Sequence, residues 1–188
     1  MVPMSCYGAK ELAESYRTVR GNTIKIAEDI PEDKYSFQAA PGTRSVAQTL
    51  VHIAHSTRFP ELIHKTEKRT TLEGLNFPEL FGQMAAEEQK PRTKAEIIEL
   101  LRNNGDAFAS FLEGLSDDFL AERVTMMMPQ GASKTRFEML LGTKEHEMHH
   151  RGQLMLIERI LGITPHLTRA MNERMAQAQQ QPQAATAR

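Results

Sequence analysis

Apolar residues recur every three or four positions along most of this chain, and the strict alternation of a half-buried strand is missing. Leu12, Tyr16, Val19, Thr23, Ile26 and Ile30 predict a first helix from about Ala9 to Asp29, with Gly21 inside it at modest cost and Pro31 ending it. A loop containing Pro41-Gly42 follows. Ser45 and Gln48 form a capping box that opens a second helix, striped by Val46, Leu50, Ile53 and Ala54. Pro60 breaks or kinks it, and a short helical piece continues through Glu67.

Residues 68–92 read as irregular, apart from a short helix after Pro78 anchored by Leu80, Phe81 and Met84. A second capping box, Thr93 with Glu96, opens a third long helix carrying Ile97, Leu100, Leu101, Phe108, Phe111 and Leu112, with Gly114 near its end. In the long connection over 117–133, Val124 to Met128 reads as a short extended segment. A third box, Thr135 with Glu138, starts a fourth helix that runs to about Leu161, where Gly162 and Pro165 stop it. The pattern predicts an all-α chain, a four-helix bundle with a long crossover between the second and third helices. It assigns one domain to residues 1–170 and a Gln-Ala-rich tail, expected to be disordered, to 171–188.

Composition narrows the function. The 188 residues suffice for one real core. A net charge of -1, from 23 basic and 24 acidic side chains, lacks the basic field of a nucleic-acid binder, so no nucleic-acid partner is expected. No apolar run approaches a membrane span, the first residues carry no basic start or apolar core of a signal peptide, and Cys6 is the single cysteine; together these predict a cytoplasmic protein without a membrane partner.

The chemistry concentrates in Glu145-His146-Glu147-Met148-His149-His150-Arg151-Gly152-Gln153. His146 and His150 are four apart, so on a helix they stack on one face and can grip one metal ion. Their midline passes near Met139, Thr143, Gln153 and Ile157, which turns the pair toward the bundle interior. His149 and Glu147 lie about 80° to either side and can reach the edge of the site. With Gln153 they are the candidates for shaping a substrate pocket. A third ligand would leave a coordination position open for water or substrate. His52, His55, His64 and His166 are the candidates; His64 and His166, each beyond a proline, read as surface residues, and periodicity does not choose between His52 and His55. On the far face Met148 and Met155, with Leu141 nearby, suggest a second packing surface and a homodimer.

His146-Glu147-Met148-His149-His150 also matches H-E-x-x-H, in which zinc peptidases use the Glu to activate water. Glu158 and Glu173 could supply the further carboxylate, but such enzymes align substrate on a sheet edge, and this chain offers almost no strand.

The same stretch, continued through Leu154, resembles the signature of the DinB/YfiT-like superfamily, the damage-inducible bundle proteins of bacteria. Pro41-Gly42-Thr43-Arg44-Ser45-Val46-Ala47-Gln48, leading into Leu50-Val51-His52-Ile53-Ala54, resembles that family's second helix, and Gly162-Ile163-Thr164-Pro165-His166 resembles its exit from the fourth. The resemblance covers roughly residues 9–166. It implies an up-and-down four-helix bundle holding one divalent metal, zinc or nickel, on His52, His146 and His150, with His55 outside the ligand set. It further implies a metal-dependent enzyme that activates water or a low-molecular-weight thiol against a small-molecule substrate, in the manner of relatives that are thiol S-transferases. A non-catalytic, metal-binding stress-response bundle is the alternative.

Overall fold

The computed structural model describes residues 7–128 and 131–180. Its long helices begin where local chemistry predicts. Helix α1 spans Ala9–Asp29, α2 spans Val46–His55, α5 spans Lys94–Glu113 and α7 spans Arg136–Ile160. In front of α2, α5 and α7, Ser45, Thr93 and Thr135 accept from the backbone N–H of Gln48, Glu96 and Glu138, whose side chains accept in return from the cap backbone. Gly162, at φ +79°, supplies the left-handed residue after α7.

The crossover between α2 and α5 is more ordered than its sequence suggests. Pro60 sits in the first turn of a short helix α3 (Arg58–Glu61), where its missing N–H costs nothing. A π-helical turn follows over Leu62–Thr66, and α4 (Phe77–Glu88) starts at Asn76, which accepts from Glu79 N at 3.2 Å. Of the anchors expected on α4, only Met84 is buried; Phe81 is 51 % exposed. After α5, α6 (Asp117–Ala121) leads into β1 (Arg123–Thr125), which pairs antiparallel with β2 (Ser133–Thr135) in the register Val124↔Lys134. The extended segment is therefore present but ends at Thr125. Helix α8 (His166–Gln180) corrects the expected tail: 171–180 are helical, as alanine and glutamine allow, and 181–188 lie outside the described residues.

The four-helix bundle and its crossover are as expected, but the helix directions depart from a simple up-and-down order. Helix α1 packs on α5 and α7, and α2 packs on the same two, so α1 and α2 face each other across a diagonal. Salt bridges Arg17–Glu113 and Arg102–Glu28 run α5 antiparallel to α1, whereas Lys144–Ser15 and Arg20–Glu147 contacts run α7 parallel to it. Since the crossover spans the length of the bundle, α2 and α5 are parallel and the directions read up, down, down, up. One apolar cluster holds Ile26, Ile30, Leu50, Ile53, Leu101 and Leu154; the other holds Leu12, Tyr16, Phe108, Leu112 and Leu140. A polar layer built on Arg20, Thr23 and Glu147 separates them.

Candidate metal centre

Helix α2 is ten residues long, and His52 stands on its last turn. Antiparallel packing sets it opposite His146 and His150 of α7. The Nε2 atoms of His52 and His146 are 3.1 Å apart and those of His146 and His150 3.2 Å apart. One ring nitrogen from each of the three lies within 4.8 Å of the others. His55, one turn on from His52, is buried against α4 with Nε2 3.8 Å from Glu87 Oε2, outside the cluster.

The outer nitrogens determine what the inner ones can do. His52 Nδ1 donates to Glu88 Oε1 at 2.8 Å, and Glu88 is clasped by Arg44, Nε to Oε2 at 2.6 Å. His150 Nδ1 donates to Gln153 Oε1 at 2.8 Å, and Gln153 Nε2 donates to His149 Nε2 at 3.3 Å. With their protons on Nδ1, both neutral rings turn an Nε2 lone pair toward His146. Burial lowers all three proton affinities; His146 is pushed down to about 4 by burial and then by the neighbouring rings of His150 and His52. At neutral pH the cluster offers lone pairs converging on one point. A single cation satisfies all three at once. Tetrahedral zinc, with Zn–N bonds of about 2.0–2.1 Å, would separate its nitrogens by about 3.3 Å, close to the spacing here.

Two clefts meet at this point, sharing Arg44 and Glu88. The first, of about 770 Å³, reaches His150 past Thr43, Gln48 and Gln153. The second, of about 490 Å³, reaches His52 and His146 past Phe59, Phe81, Met84 and Met139. The three rings are therefore accessible from outside.

Several expectations need correction. Glu147 does not line the pocket: it is fully buried on the other side of α7, where its carboxylate accepts from Arg20 Nε and Nη2 and from Thr23 Oγ1. A carboxylate held so cannot activate water at the histidines, which removes the group the peptidase reading requires. His64 is buried, because the π-helical turn tucks it beneath α7, where Arg136 Nη1 donates to its Nδ1 at 3.0 Å. His166 is buried too, since α8 folds back on α1 and brings its Nε2 within 3.1 Å of Asn22 Oδ1. His149 and Gln153 are exposed; Gln153 lines the first cleft, and His149 lies against Gln153. Glu88 and Arg44 were not foreseen. The trace of Glu88 in the sequence is its spacing, four residues after Met84; these two are the buried residues of α4.

The profile of the DinB superfamily matches residues 15–154. The chain belongs to the DinB superfamily. The uncharacterized protein YjoA of Bacillus subtilis strain 168 is 23 % identical over 156 residues, which are 83 % of this chain and 92 % of YjoA. Its crystal structure, a DinB-like protein, superposes with a TM-score of 0.60 over 82 % of this chain and 93 % of YjoA. YfiT of Bacillus subtilis, a probable metal-dependent hydrolase with an unusual four-helix bundle topology, superposes at 0.65 with 13 % identity, over 87 % of this chain and 93 % of YfiT. The colibactin self-resistance protein ClbS, solved in complex with double-stranded DNA, superposes at 0.62 with 17 % identity, over 85 % of this chain and 98 % of ClbS. At such identities these likenesses establish the DinB fold alone. The ClbS complex leaves the expectation of no nucleic-acid partner without support. Among the described residues no helix is long and apolar enough to cross a membrane.

Proposed function

We propose that this DinB-superfamily chain is a metal-dependent enzyme in which His52, His146 and His150 hold one divalent ion, zinc or nickel, beside an open position. The observation that carries this reading is the convergence of three Nε2 atoms, with the outer nitrogens of His52 and His150 committed to Glu88 and Gln153. Held by these three neutral ligands, such an ion would supply the charge that lowers the pKa of water or a thiol enough to give a nucleophile near neutral pH. The chain's own groups do the rest. Glu88 orients His52 and raises its basicity, Arg44 holds Glu88, and Gln153 keeps His150 in the tautomer that points inward. His149, through Gln153, lies where it can meet a substrate. Both clefts are of small-molecule size, which supports a small-molecule substrate and, with two approaches, a low-molecular-weight thiol as cosubstrate.

The test is elemental analysis of untagged protein, followed by turnover. About one equivalent of zinc or nickel, lost on His52→Ala, is expected, with conversion of an electrophile by bacillithiol or hydrolysis of a model ester abolished in His150→Ala. Metal-free protein from metal-replete cells would sink the reading. Metal retained without turnover across a broad substrate panel would favour the non-catalytic stress-response bundle. A gel shift with duplex DNA tests the partner suggested by ClbS. The homodimer belongs to the same proposal, supported by exposed Met148 alone, since Met155 and Leu141 pack against the core; sedimentation tests it.

A further inference from the structure

Arg20 is 4 % exposed and touches all four long helices. On its own helix, its Nη2 donates to Tyr16 Oη at 2.7 Å. Toward α5, Nη1 donates to the Leu101 carbonyl at 2.7 Å. Toward α7, Nε and Nη2 grip the Glu147 carboxylate at 2.9 to 3.1 Å. Toward α2, Nη2 reaches the Ile53 carbonyl at 3.3 Å. The two residues it holds on α2 and α7, Ile53 and Glu147, directly follow His52 and His146 in sequence.

Helix α2 depends on this contact more than a longer helix would. It ends one turn after His52, where Ile53 O keeps one backbone partner, the C-cap N–H of Ser56 at 3.3 Å, and the carbonyls of this last turn lean on side chains as well. Ile53 O is taken by Arg20 and Ser56, and Ala54 O by Asn104 Nδ2 at 2.9 Å. On the other side, Glu147 is kept in place by Thr23 Oγ1 at 2.8 Å. Room for the guanidinium comes from Gly105: a Cβ there would stand 2.7 Å from Arg20 Cγ. A planar fork with five N–H donors can serve three neighbouring helices from one point, whereas an ammonium cannot reproduce that geometry.

We propose that Arg20 is a positioning residue for the cation site, setting the separation of the helices that carry His52 and His146 through Ile53 and Glu147. This rests on the reading of the three histidines as metal ligands. It goes beyond that reading by making ligand spacing the work of a buried ion pair that touches none of them.

The test compares Arg20→Lys, which keeps the charge and loses the fork, with Leu12→Ala, a cavity in the far half of the bundle. The amounts of unfolding are matched through the melting temperature. Zinc affinity is read by chelator competition, and ligand geometry by the visible spectrum of the cobalt-substituted protein. Arg20→Lys is expected to bind zinc about 10-fold more weakly or worse, with an altered cobalt spectrum, while Leu12→Ala stays within about twofold of the parent. Equal losses in the two variants, or parental affinity in Arg20→Lys, overturn the proposal and leave the metal site standing. Should Arg20→Lys not fold, Glu147→Gln carries the same test: about 10-fold weaker zinc supports the proposal, and unchanged affinity overturns it. A parent protein that binds no zinc or cobalt removes the metal reading and this inference together.

Discussion

His52 and His64 are both imidazoles packed inside the bundle against α7, twelve residues apart in sequence, yet they are set up for opposite ends. His52 donates a hydrogen bond from Nδ1 to a carboxylate, Glu88, and turns a free lone pair toward two further rings. His64 accepts a hydrogen bond on Nδ1 from a cation, Arg136, so that lone pair is occupied and its Nε2 carries the hydrogen. Arg136 in turn donates to Glu122 Oε2 at 2.8 Å and lies over the Phe119 ring. Burial of a histidine therefore says little about its purpose; the charge of the outer partner decides whether the inner nitrogen is available to a metal.

The largest effect that would separate these regions is on metal affinity. His52→Ala should weaken zinc binding by roughly 100-fold or more, beyond what loss of an outer partner costs, whereas His64→Ala should leave it within about twofold. Chelator competition measures both, and equal losses would erase the distinction. Next comes stability. Arg136→Met removes the cation that satisfies His64 and strands a buried ring; urea denaturation should show a loss of about 2 kcal/mol with zinc affinity unchanged. Glu88→Gln is milder: the amide can still accept from His52 but no longer draws its proton, and zinc affinity should fall about 10-fold. An unaltered affinity there would show that the carboxylate does not tune the site.

The gentlest contrast is in pH. Burial, reinforced by the Arg136 charge, pushes His64 down to about 4, and burial with the neighbouring rings does the same to His146. In the unfolded chain such rings take up protons near pH 6.5. The unfolded state therefore binds more protons between those values, and metal-free protein should lose stability as pH falls from about 6.5 toward 4. His64→Gln should make that decline shallower without changing zinc binding at pH 7. A metal-free stability curve that stays flat down to pH 4 would contradict the placement of both rings.

The starts of α2, α5 and α7 were legible because a capping box is a contract between residues three apart. The His146–His150 pair was legible for the same reason, since four residues on a helix is one turn whatever the helix packs on. Beyond such local spacings the hydrophobic pattern was silent or misleading, and only the family resemblance pointed to His52. Whether His52 or His55 meets the pair depends on how α2 is rotated against α7, and that is decided by packing of Leu50, Ile53 and Leu154 in a shared core. Glu147 has the same short-range signature as a catalytic glutamate, but its role was decided by an arginine 127 positions away. Glu88 reaches His52 only because a crossover without strong periodicity folds α4 over α2. Local hydrogen bonds and helical spacing are encoded within a few residues; partner identity at a buried polar group is encoded by whatever the whole chain brings to it.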